Sequence, residues 1–231
     1  MSDVESSYDN RLRSDAEYLM QCPKQLIKRL GWNWKTPIHE WKGIEVGENH
    51  RILILHLRGK YIGAEGAKGL VLPPGLEKLS LLWNRIGDEG AKGLELPRGL
   101  ERLFLSCNRI GDEGAKGLEL PGGLKKLYLY GNKIGAEGAR GLNLPGGLQE
   151  LDLDENRIGG EGGKRLVLPR GLEKLRIGKE EYTNIGECCV CFEVKCLKRL
   201  GCEHVLCYEC TEKIQGSVSL RHSCPVCRAP M

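Results

Sequence analysis

From Cys188 the chain reads Cys188-x2-Cys191-x10-Cys202-x1-His204-x2-Cys207-x2-Cys210-x13-Cys224-x2-Cys227. Thiolate and imidazole suit Zn²⁺, and a tetrahedral ion takes four such ligands, so eight supply two sites with no place left for a catalytic water. A Cys-x2-Cys pair lets both sulfurs face one ion. The expected cofactor is therefore two structural zinc ions. Spacing alone leaves open which four ligands share each ion. Cys189 and Cys196 are spare, and only Cys188 keeps the two-residue gap to Cys191. Cys22 and Cys107 lie in other regions and are given no metal role, and His222 falls outside the pattern.

The 11 cysteines are unevenly placed: Cys22 and Cys107 apart, all follow Glu187, while glycine and leucine recur through the middle of the chain. Two separate cores are expected. The first residues lack the apolar stretch of a secretory leader, and no run approaches the roughly 18 apolar residues that span a bilayer. A cytoplasmic protein is expected, with the nucleus as the other compartment, and in such a reducing setting a dense cysteine cluster binds metal rather than forming disulfides. The formal charge of +4 falls close to neutrality once bound thiolates and zinc are counted. Apart from short Lys/Arg pairs the chain shows no basic stripe, so neither nucleic acid nor membrane is an expected partner.

The order of the eight ligands resembles the RING family, and the likeness covers Glu187 to Arg228. It implies an interleaved, cross-braced pair of sites, with Cys188, Cys191, Cys207 and Cys210 on one ion and Cys202, His204, Cys224 and Cys227 on the other. Most members are ubiquitin ligases. The resemblance thus implies a surface for a ubiquitin-conjugating enzyme at Val190, Ile214 and Pro225, and a ubiquitin-positioning residue at Arg228, whose fixed fork of donors can bond two partners at once. No nucleophile is implied; catalysis would come from proximity.

The elements ahead of this module repeat. Ile62, Ile86, Ile110, Ile134 and Ile158 are each followed by glycine and stand 24 positions apart, as do Leu79, Leu103, Leu127, Leu151 and Leu175. A period of this size marks stacked supersecondary units. Leu79 and Leu81 alternate as in a short strand with both side chains inward, leaving Lys78, Ser80 and Leu82 on the open side. Asn84, Asn108, Asn132 and Asn156 follow at a turn, where their amides can bond otherwise unpaired backbone groups. The glycine-rich second half of each unit predicts one or two helical turns ended by proline, with small residues letting this segment lie close to the strand layer. Before the repeats, Asn10 to Leu30 predict two short helices or one helix broken at Pro23, and Trp32, Trp34 and Trp41 suit a cover over the apolar end of the stack.

These units resemble the leucine-rich repeat family, specifically the subclass in which the asparagine turn is followed by I-G-x-E-G-A; the likeness covers residues 52 to about 180, and the Trp34 to Ile44 segment looks like the cap preceding such repeats. The expected fold class is α/β: a short curved solenoid with a parallel concave sheet, plus a small zinc-stabilised module. The domains are 1–51 (helical and Trp-containing cap), 52–180 (repeats) and 187–231 (RING-type module), with a short join at 178–186. The repeat register puts His56, Ser80, Phe104, Tyr128, Asp152 and Arg176 in one concave column. Arg58, Leu82, Ser106, Tyr130, Asp154 and Gly178 form a second, flanked by Trp83, Cys107 and Glu155. Aromatic Trp83, Phe104, Tyr128 and Tyr130, with acidic Asp152, Asp154 and Glu155 at one end, are the expected substrate-binding residues, suited to a partner with an apolar anchor near basic groups. The expected function is a RING-type ubiquitin-protein ligase whose partners are the conjugating enzyme, ubiquitin and a substrate protein captured by the repeats. A non-enzymatic scaffold is the competing expectation.

Overall fold

The computed structural model describes residues 2–159 and 166–178 and the backbone of four further strands, with side chains described from Asn10 to 178 apart from 160–165. The chain opens with α1 (Ser2–Leu19) and α2 (Lys24–Leu30), which are separated at Pro23, followed by a 3-10 turn (Ile38–Glu40). Leu12, Ala16, Leu19, Leu26 and Leu30 face inward. Their spacing of three, four and seven is the stripe of an amphipathic helix. Trp32 and Trp41 are buried and stacked at 6.0 Å, while Trp34 meets Trp41 edge-on at 5.4 Å and stays largely exposed.

β1 (Ile44–Val46) pairs antiparallel with β2 (Ile52–His56). From β2 onward the sheet is parallel through β3 (Lys78–Ser80), β4 (Arg102–Phe104), β5 (Lys126–Tyr128), β6 (Glu150–Asp152) and β7 (Lys174–Ile177). β8 (Glu180–Tyr182) closes it antiparallel, Leu175 opposite Tyr182. Leu55, Leu79, Leu103, Leu127, Leu151 and Leu175 are paired in register, so the sequence period becomes a buried leucine ladder. A second sheet, ordered β11-β10-β9, joins β9 (Ile185–Glu187), β10 (Val194–Arg199) and β11 (Val205–Cys207), all antiparallel.

The convex side carries α3 (Gly63–Lys68), α4 (Gly87–Lys92), α5 (Asp112–Lys116) and α6 (Ala136–Arg140), the one to two turns expected. The small residues serve a purpose in addition to the one read in the sequence. A Cβ on Gly114 would stand 2.7 Å from Cα of Asp88, and one on Gly138 2.6 Å from Cα of Asp112. These contacts are with the preceding repeat's helical segment, so glycine here also permits repeat to stack on repeat.

Candidate functional site

The asparagine turn sets the geometry of the surfaces beside it. Asn84 N–H donates to Oδ1 of Asn108 (2.9 Å), and Asn108 N–H to Oδ1 of Asn132 (3.0 Å). Each Nδ2 donates back to strand-end carbonyls, as Asn108 does to Leu81 (2.8 Å) and Leu105 (2.9 Å). The ladder locks successive repeats at one level, and neighbouring strands of a parallel sheet lie roughly 4.8 Å apart. Residues 24 apart are therefore spatial neighbours.

The register confirms the first concave column as His56, Ser80, Phe104, Tyr128, Asp152 and Arg176. Phe104 and Tyr128 stack at 4.6 Å with planes 6° apart, and Lys78 Nζ sits 5.6 Å from the Phe104 centroid. Both rings are half-buried, whereas Trp83 is 57% exposed and Tyr130 also stands out to solvent. Tyr128 O–H donates to Glu150 Oε2 at 2.7 Å, and Lys126 donates to Oε1 of the same carboxylate. Burial and the Glu150 charge push the Tyr128 phenol up to about 12, so it remains a donor at neutral pH.

The acidic end differs from its expected open form. Asp152 and Asp154 are only 8% and 6% exposed. Asp152 Oδ1 accepts Asp154 N–H at 3.0 Å, Asp154 Oδ1 accepts Glu155 N–H at 2.9 Å, and Arg176 lies 3.9 and 4.0 Å from the two carboxylates. These acids shape the turn, and of the three only Glu155 is exposed. Burial raises the Asp152 carboxyl, with the Asp154 N–H and Arg176 acting against it.

Two rows of charge were missed in the sequence, because scanning for runs of like charge overlooks single residues one period apart. Lys78, Arg102, Lys126, Glu150 and Lys174 align on the concave sheet beside the aromatic column. Arg85, Arg109, Lys133 and Arg157 each follow a ladder asparagine, and all four are exposed. The expectation of no basic stripe is thus corrected: stacking assembles one from separated cations.

Glu150 makes one pH prediction. The Lys126 ammonium, then the Tyr128 hydroxyl, lowers its carboxyl below 4.5. A lowered folded-state value adds stability above the unfolded value, and this is lost as pH falls through the folded one. Asp152 has the opposite sign: its raised value means that its charged form costs stability at neutral pH. Urea midpoints between roughly pH 3 and pH 6 should accordingly fall less steeply with acid in Glu150→Gln, and more steeply in Asp152→Asn, than in the parent chain. Parallel curves for all three proteins would contradict this assignment.

Of the eight expected metal ligands, Cys207 alone lies among the described residues, as the last residue of β11 opposite Leu197. Cys188, Cys191, Cys202, His204, Cys210, Cys224 and Cys227 lie outside them, as do Val190, Ile214, Pro225 and Arg228. Among the described residues no helix is long and apolar enough to cross a membrane.

No curated protein matches the chain. The leucine rich repeat family model matches residues 75–94, 100–118, 124–142 and 148–167. The first three matches each span a strand, its asparagine turn and the convex helix after it, and the fourth includes β6 and its asparagine turn, so residues 75–167 carry leucine-rich repeats.

Proposed function

We propose that the chain is a RING-type ubiquitin-protein ligase whose repeats hold a substrate protein while the C-terminal module recruits a ubiquitin-charged conjugating enzyme. The observation that carries this reading is the eight-ligand spacing from Cys188 to Cys227. Seven thiols and one imidazole form a donor set that fits two tetrahedral zinc sites. Cys188, Cys191, Cys207 and Cys210 would hold one ion, and Cys202, His204, Cys224 and Cys227 the other. Bound zinc supplies folding free energy there rather than chemistry on the substrate. The repeat array supports the other half of the reading, because leucine-rich repeats generally bind protein partners.

On this reading Val190, Ile214 and Pro225 seat the conjugating enzyme and Arg228 bonds both it and ubiquitin. The substrate's lysine amine attacks the thioester carbonyl; an amide bond forms, the C–S bond breaks, and the thiolate leaves on the conjugating enzyme. The chain's own part is to restrict the thioester to a reactive pose beside a bound lysine.

The test is incubation of the full chain with activating enzyme, a panel of conjugating enzymes, ubiquitin and ATP, alongside metal analysis. Two zinc ions per chain and zinc-dependent conjugates are expected. Arg228→Ala should slow conjugation by roughly tenfold or more, the worth of a charge-assisted hydrogen bond of about 1.5–3 kcal/mol. Cys207→Ser should lose zinc and the fold of its module while the repeats still melt cooperatively. A zinc-loaded chain that is inactive across the panel would point to a scaffold instead.

A further inference from the structure

Arg85, Arg109, Lys133 and Arg157 form a ridge along the edge where the strands hand over to the convex helices. The asparagine ladder fixes their level, and a backbone bridge between Gly135 and Arg157 ties the last step. All four are exposed, and among the described residues none makes an ion pair. The nearby acids are otherwise engaged: Asp88 and Asp112 accept the N–H groups of Gly111 and Gly135. The convex lysines, by contrast, are matched repeat by repeat, Lys92 with Glu89 and Lys116 with Glu113. Cations compensated on one face and left open on the next are not a general property of this surface.

Two exposed aromatics begin the ridge. Tyr61 is 62% exposed, with the Arg85 guanidinium 5.1 Å from its ring centroid, and Trp83 stands two residues before Arg85. Trp83, Arg85 and Arg109 all hold left-handed backbone, at φ of +60°, +57° and +65°. Bulky side chains there are uncommon, and the turn itself does not require them, since glycine occupies the matching position of Trp83 two repeats on, at Gly131.

We propose that this ridge, with Tyr61 and Trp83, is a docking surface for an acidic segment of a protein partner carrying an aromatic or aliphatic anchor: carboxylates bond the four cations and the anchor packs on Trp83. The inference rests on the proposed function only in taking that partner to be the protein presented for modification. A protein segment fits better than a nucleic-acid strand because the row spans only about 14 Å at the parallel-strand spacing.

The test is fluorescence anisotropy of the full chain with three labelled probes: a random glutamate–tyrosine copolymer, polyglutamate of equal length, and a single-stranded oligonucleotide of matched charge. Asparagine is tolerated in left-handed backbone, so the ridge variant Arg85→Asn/Arg109→Asn/Lys133→Gln/Arg157→Gln retains its turns. The copolymer should bind tightest, weaken as salt rises from roughly 0.05 to 0.3 M, and lose at least about tenfold in affinity to the ridge variant. A control neutralising exposed Lys24, Lys28, Lys35 and Lys42 to Gln, with the same charge change, should bind as the parent does. Trp83→Asn should abolish the preference for copolymer over polyglutamate. No copolymer binding, equal binding by the ridge variant, an equal loss in the control, or tighter binding of the oligonucleotide would each overturn the proposal. Ubiquitin is absent from the assay, so an inactive ligase would leave this result intact, and an active ligase that ignores the copolymer would refute the docking surface alone.

Discussion

Asp15→Ala should destabilise the repeat unit by about 2–4 kcal/mol, because it removes a buried carboxylate that holds a partly exposed guanidinium and a buried backbone N–H. Asp15 is 0% exposed in α1, and its carboxylate reaches across to Arg51 and Ile52 at the start of β2. Arg51 Nε donates to Oδ2 at 2.7 Å, an Arg51 terminal nitrogen to Oδ1 at 2.6 Å, and Ile52 N–H to Oδ2 at 2.8 Å. Alanine leaves the Ile52 N–H unpaired in the interior and the guanidinium without its counter-charge. The damage falls on the cap, which covers the apolar edge that a solenoid otherwise exposes at its first repeat. Asp15→Asn keeps an acceptor for Ile52 and should cost less. Arg51→Ala, by leaving a buried carboxylate uncompensated, should cost nearly as much as Asp15→Ala. Urea unfolding with an unchanged slope is the measurement. A loss below about 1 kcal/mol in Asp15→Ala would show that water replaces the pair and that the cap is held by its apolar contacts alone.

The contrast between Asp15 and the leucine ladder shows what a sequence reveals. Leu79, Leu103 and Leu127 are readable because parallel pairing without a register shift turns a linear period into a column, and the same rule placed Phe104 beside Tyr128. Asp15 looks like any charged residue of an amphipathic helix; its partner is 36 positions away, and no local pattern marks the pair. The register puts Asp152 in its expected column, but a column position says nothing of depth, for it or for Asp154. Their burial comes from Arg176 and from a turn that folds back on both carboxylates. The basic ridge was present in the period all along, and it emerges once residues are compared down the stack instead of along the chain. The proposed zinc ligands rest on their spacing, since ligand number and geometry constrain such a set more tightly than any propensity does, and all but Cys207 lie outside the described residues.

Asn108→Ala should cost about 2–4 kcal/mol, because four buried backbone groups lose a partner at once. The side chain closes one turn and sets the level of the next: Oδ1 accepts Asn84 N–H, while Nδ2 donates to the carbonyls of Leu81 in the preceding repeat and Leu105 in its own. Asn108 is fully buried, so water cannot take over these bonds without opening the stack. Asn108→Asp retains the acceptor but aims a carboxylate at those carbonyls, and should be the worse variant at neutral pH, recovering in part as acid protonates it. Position decides magnitude. Asn156, at the last rung described, makes the same bonds to Leu129 and Leu153 at 3.0 Å each but is half-buried, so Asn156→Ala should cost distinctly less. Because each repeat contacts only its neighbours, the break should also be local. Hydrogen exchange should speed up at the amides of Asn84 and Ile86, which lose their shared acceptor, before it does at the amides of the cap. Equal losses for Asn108→Ala and Asn156→Ala would mean that the ladder adds little to the leucine core, and that the turn's level is set by the strands.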